Sequence, residues 1–323
     1  MKIGLLGVGK IAEMVAPAVV RSKGVICEAV AARDLERAQA FAQKWGFKKA
    51  YGSYEELLDD SDVDVIYIGT PHSFHYEQMM QSMKKGKGVF CEKAFCINSR
   101  QAELVRDYAR KHGVFAAEAV WTRYMPSRKT IQNLLESGII GTPSVLSANL
   151  FYPISEKERI YKPELAGGAL LDVGVYPINF ALMCFGNDVI KIESAVKMHA
   201  TGVDGAENIT LTFADGKMAF LSAGIYSRSD RKGVIHGDKG YMIVENINNP
   251  ESVSIYDVKD QLLKQIVFTQ KVNGYEYEFE ELARMFDEGK IETQSMSLDD
   301  TLQVLKICDT LRKDWGFVFP QEE

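Results

Sequence analysis

At 323 residues with 46% hydrophobic content, the chain exceeds the size at which a single core stops growing, so two domains are expected. A net charge of −6 without any run of like charges gives no electrostatic footprint for nucleic acid or for an anionic membrane surface, and leaves a small molecule as the expected ligand. The opening MKIGLLGVGK carries too short an apolar stretch for a signal-peptide core or a membrane span. Cys27, Cys91, Cys96, Cys184 and Cys308 are scattered, without CxxC pairs or histidines at metal-ligand spacing. Reduced, mostly buried thiols in a cytoplasmic protein with no metal site are therefore expected.

The first half alternates short apolar runs with amphipathic stretches: Ile3–Leu6, a helix from about Lys10, Val25–Ala32, helix 35–45, Val63–Gly69, helix 74–85, Gly88–Cys91, helix 99–112 and Val114–Ala117. This rhythm predicts βαβ units, a doubly wound parallel sheet covered on both faces, in a first domain over 1–120. After a helix near Ser127–Ser137 the pattern changes. Ser144–Leu150, Ile190–Met198, Asn208–Phe213, Met218–Ala223, Gly233–His236, Tyr241–Glu245, Ser252–Tyr256 and Gln265–Thr269 alternate apolar and polar residues, as strands of a mostly antiparallel sheet do. With an apolar helix at 170–185 and amphipathic helices at 275–288 and 298–315, they predict an α+β second domain over 121–323.

Gly7-Val8-Gly9-Lys10-Ile11-Ala12 follows the first strand and opens the first helix, the setting a dinucleotide fingerprint requires. The glycines let the backbone turn tightly and approach a pyrophosphate at the helix N-terminus, and Ala12 permits close helix-strand packing. A tight turn with no ligand is the plainer alternative. At the end of the second strand, where an NAD enzyme places a carboxylate for the ribose 2′-hydroxyl, stand Ala32 and Arg33, while Glu28 lies too early to reach. An arginine there can hold a 2′-phosphate, which favours NADP over NAD; Arg33 can equally be a solvated residue beside a helix cap at Asp34.

Thr70-Pro71-His72 and Glu92-Lys93 end the next buried strands, at the sheet edge where doubly wound folds bind ligands, and are candidates to line a nicotinamide pocket. A surface Glu92–Lys93 pair competes with that reading, and His72 and His75 are as well explained by helix capping or a satisfied buried ring. In the second domain, Gly167-Gly168-Ala169-Leu170-Leu171-Asp172-Val173-Gly174-Val175-Tyr176-Pro177 is the most unusual segment. Asp172 and Tyr176 are four apart and share a helix face. An ammonium such as Lys93 beside Tyr176 would draw its pKa down from about 10 toward neutrality and make it an acid-base group. A core helix with a tyrosine bonded to one carbonyl, and Asp172 as a cap, is the competing account.

Together GVGKIA, TPHSFHYEQ, CEKAF, AEAVWTRYMP and GGALLDVGVYPINF resemble the Gfo/Idh/MocA oxidoreductase family over nearly the whole chain, most closely its branch of dimeric dihydrodiol and NADP-dependent D-xylose dehydrogenases. The resemblance implies a Rossmann domain followed by an α/β domain with a large open sheet. It implies Lys93, Asp172 and Tyr176 as catalytic residues and Trp121 and Arg123 near the nicotinamide. Ala94 stands where the family has proline, and Ala166 where it has the first of three glycines. The expected activity is NADP(H)-dependent hydride transfer at a hydroxyl-bearing carbon of a sugar, polyol or dihydrodiol, with Tyr176 exchanging the proton, Lys93 tuning it and Asp172 bonding substrate or base. A catalytically idle NADPH-binding sensor on the same fold is the alternative. Apolar strand residues Ile209, Leu211, Phe213, Ala219 and Leu221, beyond what the helices need to cover, suggest a homodimer or dimer-based tetramer through the second sheet.

Overall fold

The computed structural model describes residues 1–322. The chain divides into two compact units, one formed by 1–124 with 270–302, the other by 125–269 with 303–323.

In the first unit, β1 (Lys2–Leu6), α1 (Lys10–Val19), β2 (Ile26–Ala31), α2 (Leu35–Trp45), β3 (Lys49–Tyr51), α3 (Tyr54–Asp59), β4 (Val65–Ile68), α4 (His72–Lys84), β5 (Gly88–Glu92), α5 (Ser99–His112), β6 (Ala116–Ala119) and α6 (Trp121–Tyr124) follow in order. The strands form an all-parallel sheet in the order β3-β2-β1-β4-β5-β6, the doubly wound order in which ligands meet the carboxyl edge at the β1/β4 crossover. Local chemistry sets the helix ends. Asp34 accepts from the N–H groups of Glu36 and Arg37 at 3.0 and 3.4 Å, so the cap on α2 is real; Asn98 accepts from Gln101 at 2.9 Å to start α5.

The second unit opens with α7 (Pro126–Glu136) and β7 (Pro143–Phe151), then α8 (Glu158–Tyr161) and a π turn over Leu170–Gly174 that runs into α9 (Val175–Phe185). β8 (Val189–Met198), β9 (Asp204–Phe213), β10 (Met218–Gly224), β11 (Gly233–Gly237), β12 (Gly240–Glu245), β13 (Ser252–Asp257) and β14 (Leu262–Val267) complete an eight-stranded sheet in the order β14-β13-β12-β11-β7-β10-β9-β8. Only β7 and β10 pair in parallel; the rest are antiparallel. The fold class is thus the expected one, a doubly wound domain and an α+β domain with a large, mostly antiparallel sheet. The last strand lies at 262–267 rather than 265–269, beginning three residues and ending two residues earlier, after a left-handed turn at Asp260 (φ 59°).

α10 (Glu276–Asp287) and the start of α11 (Leu298–Asp314) belong to the first unit. The cause is visible in its core, where Phe279 of α10 packs against Tyr67 and Phe90, ring centroids 5.5 Å apart in both cases. A buried phenylalanine contributes roughly 1.5–3 kcal/mol.

Two sequence expectations need correction. Ile209, Leu211, Phe213, Ala219 and Leu221 are not surplus apolar surface but core, each at most 2% exposed. They face the helical side of the sheet; the opposite face presents Asn208, Thr210, Thr212, Phe220 and Ser222, with Phe220 45% exposed. The apolar helix 170–185 is not plain α-helix either. Its first turn widens so that the Val175 N–H reaches the Leu170 carbonyl; Pro177, lacking an N–H, cannot serve the Val173 carbonyl in the ordinary i→i−4 ladder. The stretch Pro163–Phe185 is long and apolar enough to cross a membrane, yet 83% of its apolar window is buried within the protein.

Candidate functional site

A cavity of about 310 Å³ lies at the carboxyl edge of the first sheet, lined by Gly7, Val8, Gly9, Arg33, Thr70 and Pro71, together with Ala32, Asp34, Arg37, Tyr54 and Gly69. Gly7 sits at φ 97°, which an L side chain rarely adopts, and an added Cβ at Gly9 would meet nothing within 4 Å. The turn therefore leaves open backbone at the α1 N-terminus, which suits a pyrophosphate. Arg33 and Arg37, both exposed, flank the same cavity, whereas Glu28 is buried and paired with Lys48 at 2.7 Å. The site thus offers two guanidinium groups, and its one carboxylate, Asp34, is engaged in capping α2, a donor set that fits a 2′-phosphate. Arg37 and Tyr54 were not singled out from the sequence, although Arg37 lies on the helical turn that Asp34 caps.

The other predicted residues of this unit fall around that edge. Lys10 and Ile11 open α1, and His72 opens α4 with its ring edge-on to His75 at 5.7 Å. His75 is fully buried, with Nδ1 2.8 Å from the Ala94 carbonyl oxygen and Nε2 2.8 Å from that of Thr70. It ties the loop after β4 to the loop after β5; burial lowers its pKa against the opposing pull of those carbonyls. Lys93 is half-buried at the end of β5, followed by a cis Lys93–Ala94 peptide bond. Beside it, Glu92 accepts from the Tyr67 hydroxyl at 2.6 Å. Trp121 stacks on Tyr275 with centroids 4.4 Å apart, and Arg123 is buried at 3% exposure.

Glu118, which the sequence reading passed over, anchors the segment after Lys93. Its Oε1 accepts from the Phe95 N–H at 3.0 Å and its Oε2 from the Thr301 hydroxyl at 2.9 Å. Burial raises its pKa to about 7, opposed by those two bonds and by the nearby Arg123.

In the second unit, Gly167 and Gly168 form a corner that only glycine fits. A Cβ at Gly167 would come within 2.3 Å of the Ile160 carbonyl oxygen, and one at Gly168 (φ 115°) within 2.3 Å of Asp204 Oδ1. Asp204 in turn accepts from the Leu170 N–H and so caps the buried helix. Its pKa is pushed up to about 6 by burial, while that of Glu207, buried further along β9 and facing the Asp204 charge, is pushed well above the usual carboxylate range. Asp172 is 6% exposed and receives both terminal nitrogens of Arg159. Tyr176 is half-buried, whereas every other residue from Ala166 to Leu182 is buried.

Fold and cavity define a dinucleotide-binding protein of Rossmann type joined to an α+β domain. The chain belongs to the Gfo/Idh/MocA oxidoreductase family: residues 1–119 match the model described as oxidoreductase family, NAD-binding Rossmann fold, and 129–243 that of the GFO/IDH/MocA C-terminal domain. It is 36% identical over 301 residues to a trans-1,2-dihydrobenzene-1,2-diol dehydrogenase of Xenopus laevis, covering 90% of each chain, and 32% identical over 300 residues to that of Mus musculus, covering 91% and 90%. Among solved structures it resembles a 3-ketoreductase from Actinomadura kijaniata in complex with NADP and TDP-benzene, with a TM-score of 0.88, 25% identity and 97% of each chain covered. An aldose-aldose oxidoreductase from Caulobacter crescentus shares the fold, with a TM-score of 0.88, 19% identity and 98% of each chain covered.

The Glu118 geometry predicts a pH dependence. The native state keeps a proton up to about pH 7 that the unfolded chain loses above about 4.5, so the unfolded state binds fewer protons and this group's contribution to stability falls as pH rises through that window. In urea unfolding, Glu118→Gln should lose less stability between pH 5 and pH 7.5 than the parent protein does. Equal pH slopes for the two proteins would contradict a buried, proton-holding Glu118.

Proposed function

We propose that this protein is an NADP(H)-dependent dehydrogenase that moves a hydride between the nicotinamide and a hydroxyl- or carbonyl-bearing carbon of a small sugar, polyol or dihydrodiol. The observation that carries the proposal is Tyr176, half-buried in a run from Ala166 to Leu182 whose other residues are all buried, one turn from the buried Asp172. A proton-exchanging group needs access to the substrate, which a fully buried phenol would lack. Membership of an oxidoreductase family and relatives named as diol dehydrogenases support the same reading, and nothing in the comparisons favours an idle sensor.

Bound along the glycine turn, NADP supplies the hydride acceptor or donor. The chain supplies the rest. Gly7 to Ile11 hold the pyrophosphate, Arg33 and Arg37 the 2′-phosphate, and Thr70, Pro71, His72, His75, Glu92, Trp121 and Arg123 shape the nicotinamide end. Tyr176 exchanges the hydroxyl proton, Lys93 supports that transfer electrostatically, and Asp172 accepts a hydrogen bond from the substrate. Within the segment 121–323, the second unit supplies the substrate-binding and assembly surfaces.

We also propose a homodimer, or a tetramer built from it, through the open face of the eight-stranded sheet. A concavity of about 480 Å³ there is lined by Glu193, Ala195, Asn208, Thr210 and Phe220 among others, and a second copy of the face would cover the exposed Phe220. The five free thiols suit a reducing compartment, taken here as the cytoplasm.

Two measurements test this reading. A panel of aldoses, polyols and trans-dihydrodiols assayed with NADP⁺ and NAD⁺ should give turnover that prefers NADP⁺, and Arg33→Ala should raise the KM for NADP⁺ about tenfold or more while leaving that for NAD⁺ nearly unchanged; equal effects on both cofactors would remove the 2′-phosphate role. Sedimentation velocity at micromolar concentration should show a dimer or tetramer that Phe220→Asp dissociates, and a monomeric parent protein would refute the assembly.

A further inference from the structure

The strap between β7 and the π turn is pressed directly onto the glycine corner. Gly168 donates its N–H to the Ile160 carbonyl at 2.8 Å, Gly167 donates to that of Lys162 at 3.1 Å, and Ile160 is fully buried. With its backbone fixed in this way, the short α8 carries Arg159 to Asp172. Nη1 donates to Oδ1 at 2.7 Å and Nη2 to Oδ2 at 3.3 Å, and the arginine side chain is 45% exposed where the aspartate is 6% exposed. On the neighbouring position of the same turn, Tyr161 lies near-parallel to His199, centroids 6.4 Å apart, a second tether for the strap.

We infer that Arg159 is a positioning residue for the reaction: its guanidinium fork fixes the plane and orientation of the Asp172 carboxylate. The inference rests on the reading above in which Asp172 meets the substrate. A carboxylate offers roughly four acceptor sites over its two oxygens, and the fork takes one on each. The fork holds the carboxylate in one orientation, so Asp172 acts as an oriented acceptor for a substrate hydroxyl rather than as a swinging base. Orientation is the property at stake, and a lysine, as a single point charge, would not bridge both oxygens. The selected substrate class is accordingly a polyhydroxylated one, in which a hydroxyl besides the reacting one can donate to Asp172.

The test is steady-state kinetics of Arg159→Ala, Arg159→Lys, Asp172→Asn and the Arg159→Ala/Asp172→Asn pair, with the best diol or polyol found for the parent protein. Arg159→Ala should lower kcat/KM about ten- to a hundredfold, with the NADP⁺ dissociation constant unchanged, and Arg159→Lys should restore only part of the loss. Low millimolar guanidinium, below denaturing levels, should partly rescue Arg159→Ala and leave Asp172→Asn unaffected. The double variant should be scarcely worse than the worse single one.

Full activity in Arg159→Ala, additive losses, or a loss that follows a fall in Tm without guanidinium rescue would overturn the positioning role. Two other results would locate the failure in the functional reading instead: a parent protein that turns over no diol or polyol, or an Asp172→Asn variant with parental kinetics. In either case the inference falls with it.

Discussion

The Leu170 N–H opens a helix in a place that water does not reach, and the Asp204 carboxylate is its acceptor. An unpaired buried donor costs on the order of 1–3 kcal/mol, so the start of this helix is fixed by where Asp204 sits on β9. Much of the second unit follows from that one bond. The chain must reach Leu170 through a corner too tight for any side chain, hence Gly167 and Gly168; the same corner receives the backbone of α8, and α8 carries Arg159. Once the start is set, the widened turn before Pro177 sets where Asp172 and Tyr176 emerge, the first buried and paired with an arginine and the second half-buried.

The first unit solves a related problem with buried carboxylates. Lys93 sits at the end of a strand whose neighbours Glu92 and Glu118 are both under 10% exposed, and Glu278 of α10 is buried close enough to Glu92 for its pKa to be raised by burial first and by that charge second. The hydroxyls of Tyr67 and Thr301 and the Phe95 N–H satisfy Glu92 and Glu118. Most buried polar groups find a hydrogen-bond partner, as Glu92 and Glu118 do, and a satisfied network rigidifies what it touches. Here it touches the backbone on either side of Lys93, while His75 holds the same loop from the other flank. These contacts fix the backbone on either side of Lys93, on a segment where alanine, not proline, follows the lysine.

What the sequence revealed was whatever depends on local chemistry. The glycine turn, the Asp34 cap, the alternation of strands and helices and the shift to period-two strands after Ser137 are all written in neighbouring residues, and the elements so expected lie within a few residues of their bounds, whereas the short β3, α3 and α8 were not expected. The segment holding Asp172 and Tyr176 stood out for the same reason. The features that stayed hidden depend on residues far apart in the chain. Glu118 meets Thr301 across 183 positions, Phe279 returns to a core built before residue 125, and Asp204 caps a helix that begins 34 residues earlier. The face of the second sheet was misjudged because alternation tells which residues share a side but not which side the helices cover. The π turn was hidden because a proline inside an apolar helix signals a disturbance without saying which one. Arg37, by contrast, was within reach of sequence reasoning, being on the capped first turn of α2 beside Arg33.

The central claim is that the half-buried Tyr176 performs the proton transfer. It is tested most directly by the kcat of Tyr176→Phe on a substrate deuterated at the carbinol carbon, under conditions where the isotope effect in the parent protein shows hydride transfer to limit the rate. The ring still packs, so the fold and NADP⁺ affinity should persist while kcat falls by about 10²–10⁴. A Tyr176→Phe protein that keeps more than about half of its kcat under those conditions would contradict the account, since an acid-base group worth 10² or more cannot be dispensable.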